Sequence, residues 1–269
     1  MSSLLQPLLA PWVHRVLIFQ FVRRDVVGRY RGSLLGIGWS FLTPLLMLGV
    51  YTFVFVGVFK ARWPGAEEGG GAFFAARVFC GLIVFNFVAE VLNRSPSLIT
   101  EQPNLVKKVV FPLETLVAVV LGSALFHLLI GVAVLLGVVL VVHGQVPLAV
   151  VATPLVLLPL LPLMMGIGWI LAALGVFVRD IGQVMTMVTS LLMFLSPVFY
   201  SLHTVPEEVR GLMMVLPTTL AIENLRLLFF AGQWPEWSAL AVQWGVSCLV
   251  ALVGAAFFQN VRRGFADVL

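Results

Sequence analysis

The side chains best suited to covalent or phosphate chemistry are scarce in this sequence and poorly placed for it. Its lysines are Lys60, Lys107 and Lys108, and none is followed by serine or threonine. A phosphate-cradling loop needs glycines that let backbone N–H groups close on the phosphates, then a Lys-Ser/Thr pair, so the chain carries no such ATP site. The four histidines, His14, His127, His143 and His203, are scattered and not at metal-ligand spacing. There is no serine nucleophile elbow, and neither a metal nor a cofactor is expected on this chain. His127, alone in an apolar run, reads as a hydrogen-bonded packing residue. Cys80 and Cys248 also lie in apolar runs, where thiols behave as small hydrophobes, and the two do not make a disulfide framework.

The charged residues that do occur are clustered. Arg23, Arg24, Asp25, Arg29 and Arg31 crowd together, and after Arg31 the chain is uncharged as far as Lys60. Gly28, Gly32 and Gly36 recur every four residues, a spacing that predicts close backbone approach on one helix face. A second cluster is "NRSPSLITEQPNLVKKVVFPLE", residues 93–114. There Ser95-Pro96 is a helix start, Pro103 stops the helix after one or two turns, and Asn104 to Lys108 can form another turn. A short, proline-delimited helix of this kind suits a docking knob, although a solvated loop is the plainer alternative.

Both clusters border long apolar runs. Of 269 residues, 61% are hydrophobic and 10% charged, and mean hydropathy is +1.08, whereas soluble domains carry about 25% charged residues. Runs of about 20 apolar residues span a bilayer. They predict an all-α integral membrane protein with six transmembrane helices at 34–59, 73–92, 113–142, 146–178, 181–200 and 239–258. Pro154, Pro159 and Pro162 predict a kinked or broken fourth helix. The first span is too long for the apolar core of a cleavable signal.

Residues 212–230 are apolar but interrupted by Pro217, and they hold Glu223 and Arg226 one helical turn apart. With the amino terminus in the cytoplasm and six crossings, 11 of the 16 basic residues fall inside, among them Arg15, Arg94, Arg179, Arg262 and Arg263. Lys60, Arg62, Arg77, Arg210 and Arg226 fall outside, in keeping with the positive-inside rule. A seventh crossing would expel Arg262 and Arg263, so two short helices that enter the outer leaflet and return are expected. The net charge of +4 then belongs to inner loops facing anionic lipid or a protein, and nucleic acid is not implied. Glu90 and Arg77, near the two ends of the second span, are expected to snorkel to the interfaces. The scarcity of midplane carboxylates argues against an ion-coupled carrier. Residues 11–24 place Trp12, Val16 and Phe19 along one side, as in an amphipathic helix lying in the inner interface.

Four stretches carry a family resemblance. They are "RRDVVGRYRGSLLGIGWSFLTPLLMLGVYTFVFVGVF", "NLVKKVVFPLE", "FVRDIGQVMTMVTSLLMFLSPVFY" and "VPEEVRGLMMVLPTTLAIENLRLLFFAG". In this order, over nearly the whole chain, they resemble the type-2 ABC exporter permeases of polysaccharide export. The pattern is most similar to the Wzm-type permeases of O-antigen export, with teichoic acid and capsule permeases as near relatives.

The resemblance implies a homodimer in the bacterial inner membrane, both termini cytoplasmic, with a channel for lipid-linked polysaccharide between the two copies. Each copy would dock on a separate ATP-binding cassette ATPase, which would hold the ATP and Mg. Residues 1–33 would form the amino-terminal interface segment, 34–260 the transmembrane domain and 261–269 a cytoplasmic tail. ATPase coupling would fall to Arg24, Asp25, Arg29 and Arg31 of the first segment and to Pro96, Glu101, Asn104, Lys107 and Lys108 of the coupling loop. Arg179 and Asp180 would add a second inner contact. Pro206, Glu207, Pro217, Glu223 and Arg226 would belong to outer gate helices at about 205–230.

Trp39, Tyr51, Phe55, Phe194, Phe199 and Tyr200 would line the channel, since aromatic faces can stack on sugar rings while letting them slide. Helical spacing puts Tyr51 and Phe55 on one face. Two alternatives stay open: a permease of the same machinery for a drug or lipid, and a membrane-embedded glycan-modifying enzyme, for which acid–base residues at useful spacing are lacking.

Overall fold

The computed structural model describes residues 6–60, 63, 70–104 and 111–268. Two short helices, α1 (Gln6–Val13) and α2 (Arg15–Arg29), precede the first crossing. The interface helix expected over residues 11–24 is therefore two helices parted at His14, with Pro11 inside the first. The chain then turns through Gly32 (φ +86°) and Gly36 (φ +52°). Apart from its own chain neighbours and helix backbone, no described atom lies within 4 Å of where a Cβ would sit on Gly28, Gly32 or Gly36. This corrects the expected helix-face contact: Gly32 and Gly36 serve a left-handed turn that L side chains resist.

The first crossing, Gly36–Val58, consists of a 3-10 turn, α3 (Trp39–Tyr51) and a π-helical segment (Thr52–Val58). Next come α4 (Gly70–Arg94) and α5 (Thr115–His143), which ends at Gly144 in the left-handed conformation that caps helices. The fourth crossing, Leu148–Phe177, is broken by its prolines into a 3-10 turn, α6 (Thr153–Leu157) and α7 (Leu160–Phe177). The next helix, α8, is Ile181–Leu195 and stops short of the expected residue 200. Pro197 forces the reason: the residue before a proline avoids helical angles, and Ser196 lies at φ −76°, ψ 146°. Then α9 (Glu207–Met214) and α10 (Thr219–Arg226, extended by a π turn to Ala231) meet at a bend of 101°. The long α11 (Trp237–Val261) and the terminal α12 (Phe265–Val268) complete the chain. Among the described residues, five helices are long and apolar enough to cross a membrane, or six if the bent pair counts as one.

In a bilayer, helices gain little from burying apolar surface, because the lipid is equally apolar; close packing and hydrogen bonds join them instead. Gly166 of α7 and Gly254 of α11 bring these two helices into close backbone contact, since a Cβ on either would overlap the other helix's backbone. Gly131 of α5 admits Ile83 of α4, and Gly122 of α5 admits Val22 of α2. In consequence α4 is the buried centre, whereas the most apolar window of the first crossing has no buried residue. The arginines of α2, Arg94, Arg179, Arg262 and Arg263 share one end of the bundle, called here the basic end.

Candidate functional site

At the basic end, α2 is tied to the bundle by a polar network. Arg94, at the close of α4, grips Asp25 with two guanidinium nitrogens at 2.8 and 2.9 Å and reaches Glu90 one turn away at 3.2 Å. Glu90 also accepts from Arg29 and meets His127 Nδ1 at 3.3 Å, while His127 Nε2 pairs with the Tyr30 hydroxyl at 3.1 Å. The expectation that Glu90 snorkels to the interface is corrected: its side chain is 16% exposed and cations from two helices hold it within the bundle. Burial of Asp25 pushes its carboxyl upward, but hydrogen bonds from Arg94 and the charges of Arg94 and Arg29 outweigh this and hold it below 3.8. The Tyr30 phenol is pushed above its ordinary value by burial, helped by the Glu90 charge and opposed by Arg29. Of the other candidates in this first segment, Arg24 lies over the Phe21 ring at 4.4 Å and Arg31, in the turn after α2, is exposed.

The second loop begins with a 3-10 turn, Ser95–Ser97. Most of the expected knob is turned inward: Ser95, Pro96, Leu98 and Ile99 are buried, whereas Glu101 and Asn104 are exposed. Six residues cannot sustain a helix alone, and the packing that holds these comes from α7 of the same chain. A Cβ on Gly175 would overlap the Pro96 backbone, and one on Gly168 would press on Ser95 Oγ at 3.2 Å. Lys107 and Lys108 lie outside the described residues. Arg179 and Asp180 are exposed, and Arg179 lines a cleft of about 330 Å³ with Pro96, Thr100 and Gly182. Beyond the loop, Glu114 binds Arg262 at 2.9 Å, its carbonyl accepts from Trp169 Nε1 at 3.0 Å, and Phe265 packs on Phe177 and Phe258.

The aromatic candidates form a continuous seam. Tyr51 stacks on Phe55 at 6.3 Å, Phe55 on Phe199 at 5.4 Å, and Phe199 meets Phe194 at 6.5 Å. Phe199 and Tyr200 sit past the end of α8 and not within it, and the Tyr200 hydroxyl donates back to the Phe194 and Leu195 carbonyls that the broken helix leaves unpaired. Tyr51 and Phe55 are half-buried, whereas Phe194 is 69% exposed. Trp39 opens α3 on its exposed side. On α8, Gln183, Thr186, Ser190 and Phe194 recur at helical spacing and are all exposed, while Thr189 faces inward to Asn93 of α4.

At the far end the seam runs through Phe74 and Trp63 to Arg226. This guanidinium, almost wholly buried, donates to the carbonyls of Arg77, Val198 and Tyr200 and to Glu223 at 2.9 Å. All its donors are thereby used, and α10, α4 and the chain leaving α8 are fastened together. Pro206 caps α9 ahead of Glu207, which is exposed, and Pro217 lies in the bend between α9 and α10.

The sequence of this bundle matches a model of the ABC-2 type transporter family over residues 16–230. The chain belongs to the ABC-2 type transporter family. It is a multi-pass membrane transport subunit. Three curated relatives match over 94% of the chain and 95% of their own length. One is the O-antigen export system permease protein RfbA of Myxococcus xanthus, at 29% identity; two are proteins of the same name from Klebsiella pneumoniae, at 24% and 23%.

Among the residues of this ABC-2 transporter that sequence reasoning missed are the partners of Glu90, the Glu114–Arg262 pair and the polar stripe of α8. The stripe had a visible signal, since Gln183, Thr186 and Ser190 are spaced three and four apart in an otherwise apolar run. The ion pairs had none, because their members are 61 and 148 positions apart.

Proposed function

We propose that the chain is the permease subunit of an ATP-driven exporter of O-antigen or a similar lipid-linked polysaccharide. It works as a homodimer with two copies of a separate ATPase, in a bacterial inner membrane, both termini in the cytoplasm. The basic end then faces the cytoplasm, in accord with the positive-inside rule.

The observation that carries this reading is the face of α8. Gln183, Thr186 and Ser190 are polar, exposed and aligned with Phe194, beside the uncovered first crossing and its aromatic seam. A polar stripe is disfavoured against lipid tails and favoured against a water-filled path. Hydroxyls and an amide followed by aromatic rings suit a glycan, whose sugars present hydroxyl edges and apolar faces. A second copy set against α3 and α8 would enclose that path. The names of the three relatives point to the same cargo. The exposed remnant of the second loop, Glu101 and Asn104, together with Arg179 and the α2 arginines, would meet the ATPase.

Deleting the gene should abolish surface glycan while lipid-linked glycan accumulates at the cytoplasmic face. The triple variant Gln183→Leu, Thr186→Val, Ser190→Leu should restore the protein to the membrane but not the export. Normal surface glycan in the deletion strain would refute the cargo; normal export by the variant would remove α8 from the path.

A further inference from the structure

A cavity of about 410 Å³ lies away from the α8 stripe, between α2, α3, α4 and α5. Its polar groups are ordered with depth. Arg29 and Glu90 stand at the basic end. Asn86 is one turn deeper, about 6 Å along α4, and Phe79, Leu82 and Ile83 lie as much as about 16 Å below Glu90. That is roughly half the hydrocarbon thickness of a bilayer. Met47 and Leu128 supply the facing walls.

Two of these polar groups have unused capacity. Arg29 spends Nη2 on Glu90, and its other two nitrogens meet no hydrogen-bond acceptor among the described residues. Asn86 is an exposed amide inside a membrane span, and no described group hydrogen-bonds it. An unpaired amide facing hydrocarbon is strongly disfavoured, so a polar partner is called for. Nearby, Arg23, Arg24 and Arg31 are exposed without an ion-pair partner among the described residues, which leaves the mouth positive.

The geometry points to a bound anionic glycerophospholipid of the leaflet at the basic end. Its phosphate lies against Arg29, a glycerol ester carbonyl accepts from the Asn86 amide, and one acyl chain fills the slot between Phe79, Ile83 and Met47. The order phosphate, ester, chain matches the order arginine, amide, apolar wall. A polyprenyl phosphate has no ester one turn below its phosphate, which sets it apart from this site. The lipid would brace α2 against the first crossing, and this inference stands whether or not the cargo is O-antigen.

The test is native mass spectrometry of the full-length permease, delipidated in detergent and titrated with phosphatidylglycerol, phosphatidylethanolamine or polyprenyl phosphate. Phosphatidylglycerol is expected to bind at least tenfold tighter than phosphatidylethanolamine. Met47→Trp, which fills the slot, should abolish that binding, and Asn86→Leu should weaken it about tenfold. Thr43→Trp, which fills the same cavity from the next turn of α3, serves if Met47→Trp does not fold. Equal affinity for the two phospholipids, or undiminished binding by the folded tryptophan variant, would overturn the site. Displacement of phosphatidylglycerol by polyprenyl phosphate at equal concentration would overturn the ester assignment and give the slot to a carrier lipid.

Discussion

Arg94 holds Asp25 from both sides of its guanidinium, Nη2 on Oδ1 at 2.8 Å and Nη1 on Oδ2 at 2.9 Å, across 69 positions of sequence. This two-pronged pair fixes the angle as well as the position of α2 on α4. If α2 meets the ATPase as proposed, it can move the membrane helices only through a rigid joint such as this one.

Asp25→Asn should therefore loosen α2. About a third of each side chain is exposed, so the loss is about 1–2 kcal/mol, the lower part of the range for charged hydrogen bonds. Amide hydrogen exchange across α2 should speed up about tenfold, and unchanged exchange would mean that the pair holds nothing. The pH dependence has a definite sign. Because the folded carboxyl is held below 3.8, the latch is present above that value and lost as pH falls through the lower folded one. Exchange in the parent protein should stay slow from neutral pH down to about pH 4 after correction for its intrinsic pH dependence.

Arg226 fastens the far end by itself. Arg226→Met would leave three carbonyls and the Glu223 carboxylate without their donor, at a cost of about 3 kcal/mol or more. We expect the 196–204 segment to become sensitive to protease, and the double variant Arg226→Met, Glu223→Gln to recover part of the loss. Equal sensitivity of single and double variants would show that Glu223 plays no part.

The α9–α10 pair should lie outside the cytoplasm without crossing the membrane. Cysteines placed at Glu207 and Gln233, in a chain with Cys248→Ser, should both react with an impermeant thiol reagent added from outside. Gln233 is chosen over Gly232 because the latter has φ +65° and resists a side chain. Reaction of either from the cytoplasmic side alone would reverse this topology.

Phe55 is the centre of the aromatic seam, touching Tyr51, Phe59, Phe74 and Phe199. Phe55→Leu keeps most of its volume, so the cost in stability should stay below about 1.5 kcal/mol. If the ring face guides sugars, glycan export should fall several-fold while the amount of permease in the membrane is unchanged. Full export by this variant would make the seam a packing feature only.

Glu101 of the second loop and Gly175 of α7, which seats that loop, separate docking from support. Glu101→Lys reverses an exposed charge and should weaken capture of the ATPase in pull-down while the permease accumulates normally. Gly175→Val drives a side chain into the Pro96 backbone and should lower the amount of folded permease. If Glu101→Lys alters neither ATPase capture nor export, the loop is only a solvated connection.

The sequence by itself determined the class of this protein. A hydrophobic content of 61% with 10% charge leaves a bilayer as the only fitting solvent, and in a bilayer the backbone of uninterrupted apolar runs must close its own hydrogen bonds as helices. Prolines likewise act locally, which is why the breaks at Pro154 and Pro159 are legible in one dimension. Tertiary structure decided what each polar residue is for. Glu90 looked free to reach an interface until Arg29 and His127, 61 and 37 positions away, were set against it. Gly32 and Gly36 looked like a packing face, but their positive φ angles make them part of the turn between α2 and α3. The Ser95–Ile99 segment looked like a surface knob until the small residues Gly168 and Gly175 of α7 opened a seat for it. Hydropathy and proline report on the residue and its immediate neighbours, whereas an ion pair or a glycine seat depends on a partner that only the packed bundle brings near.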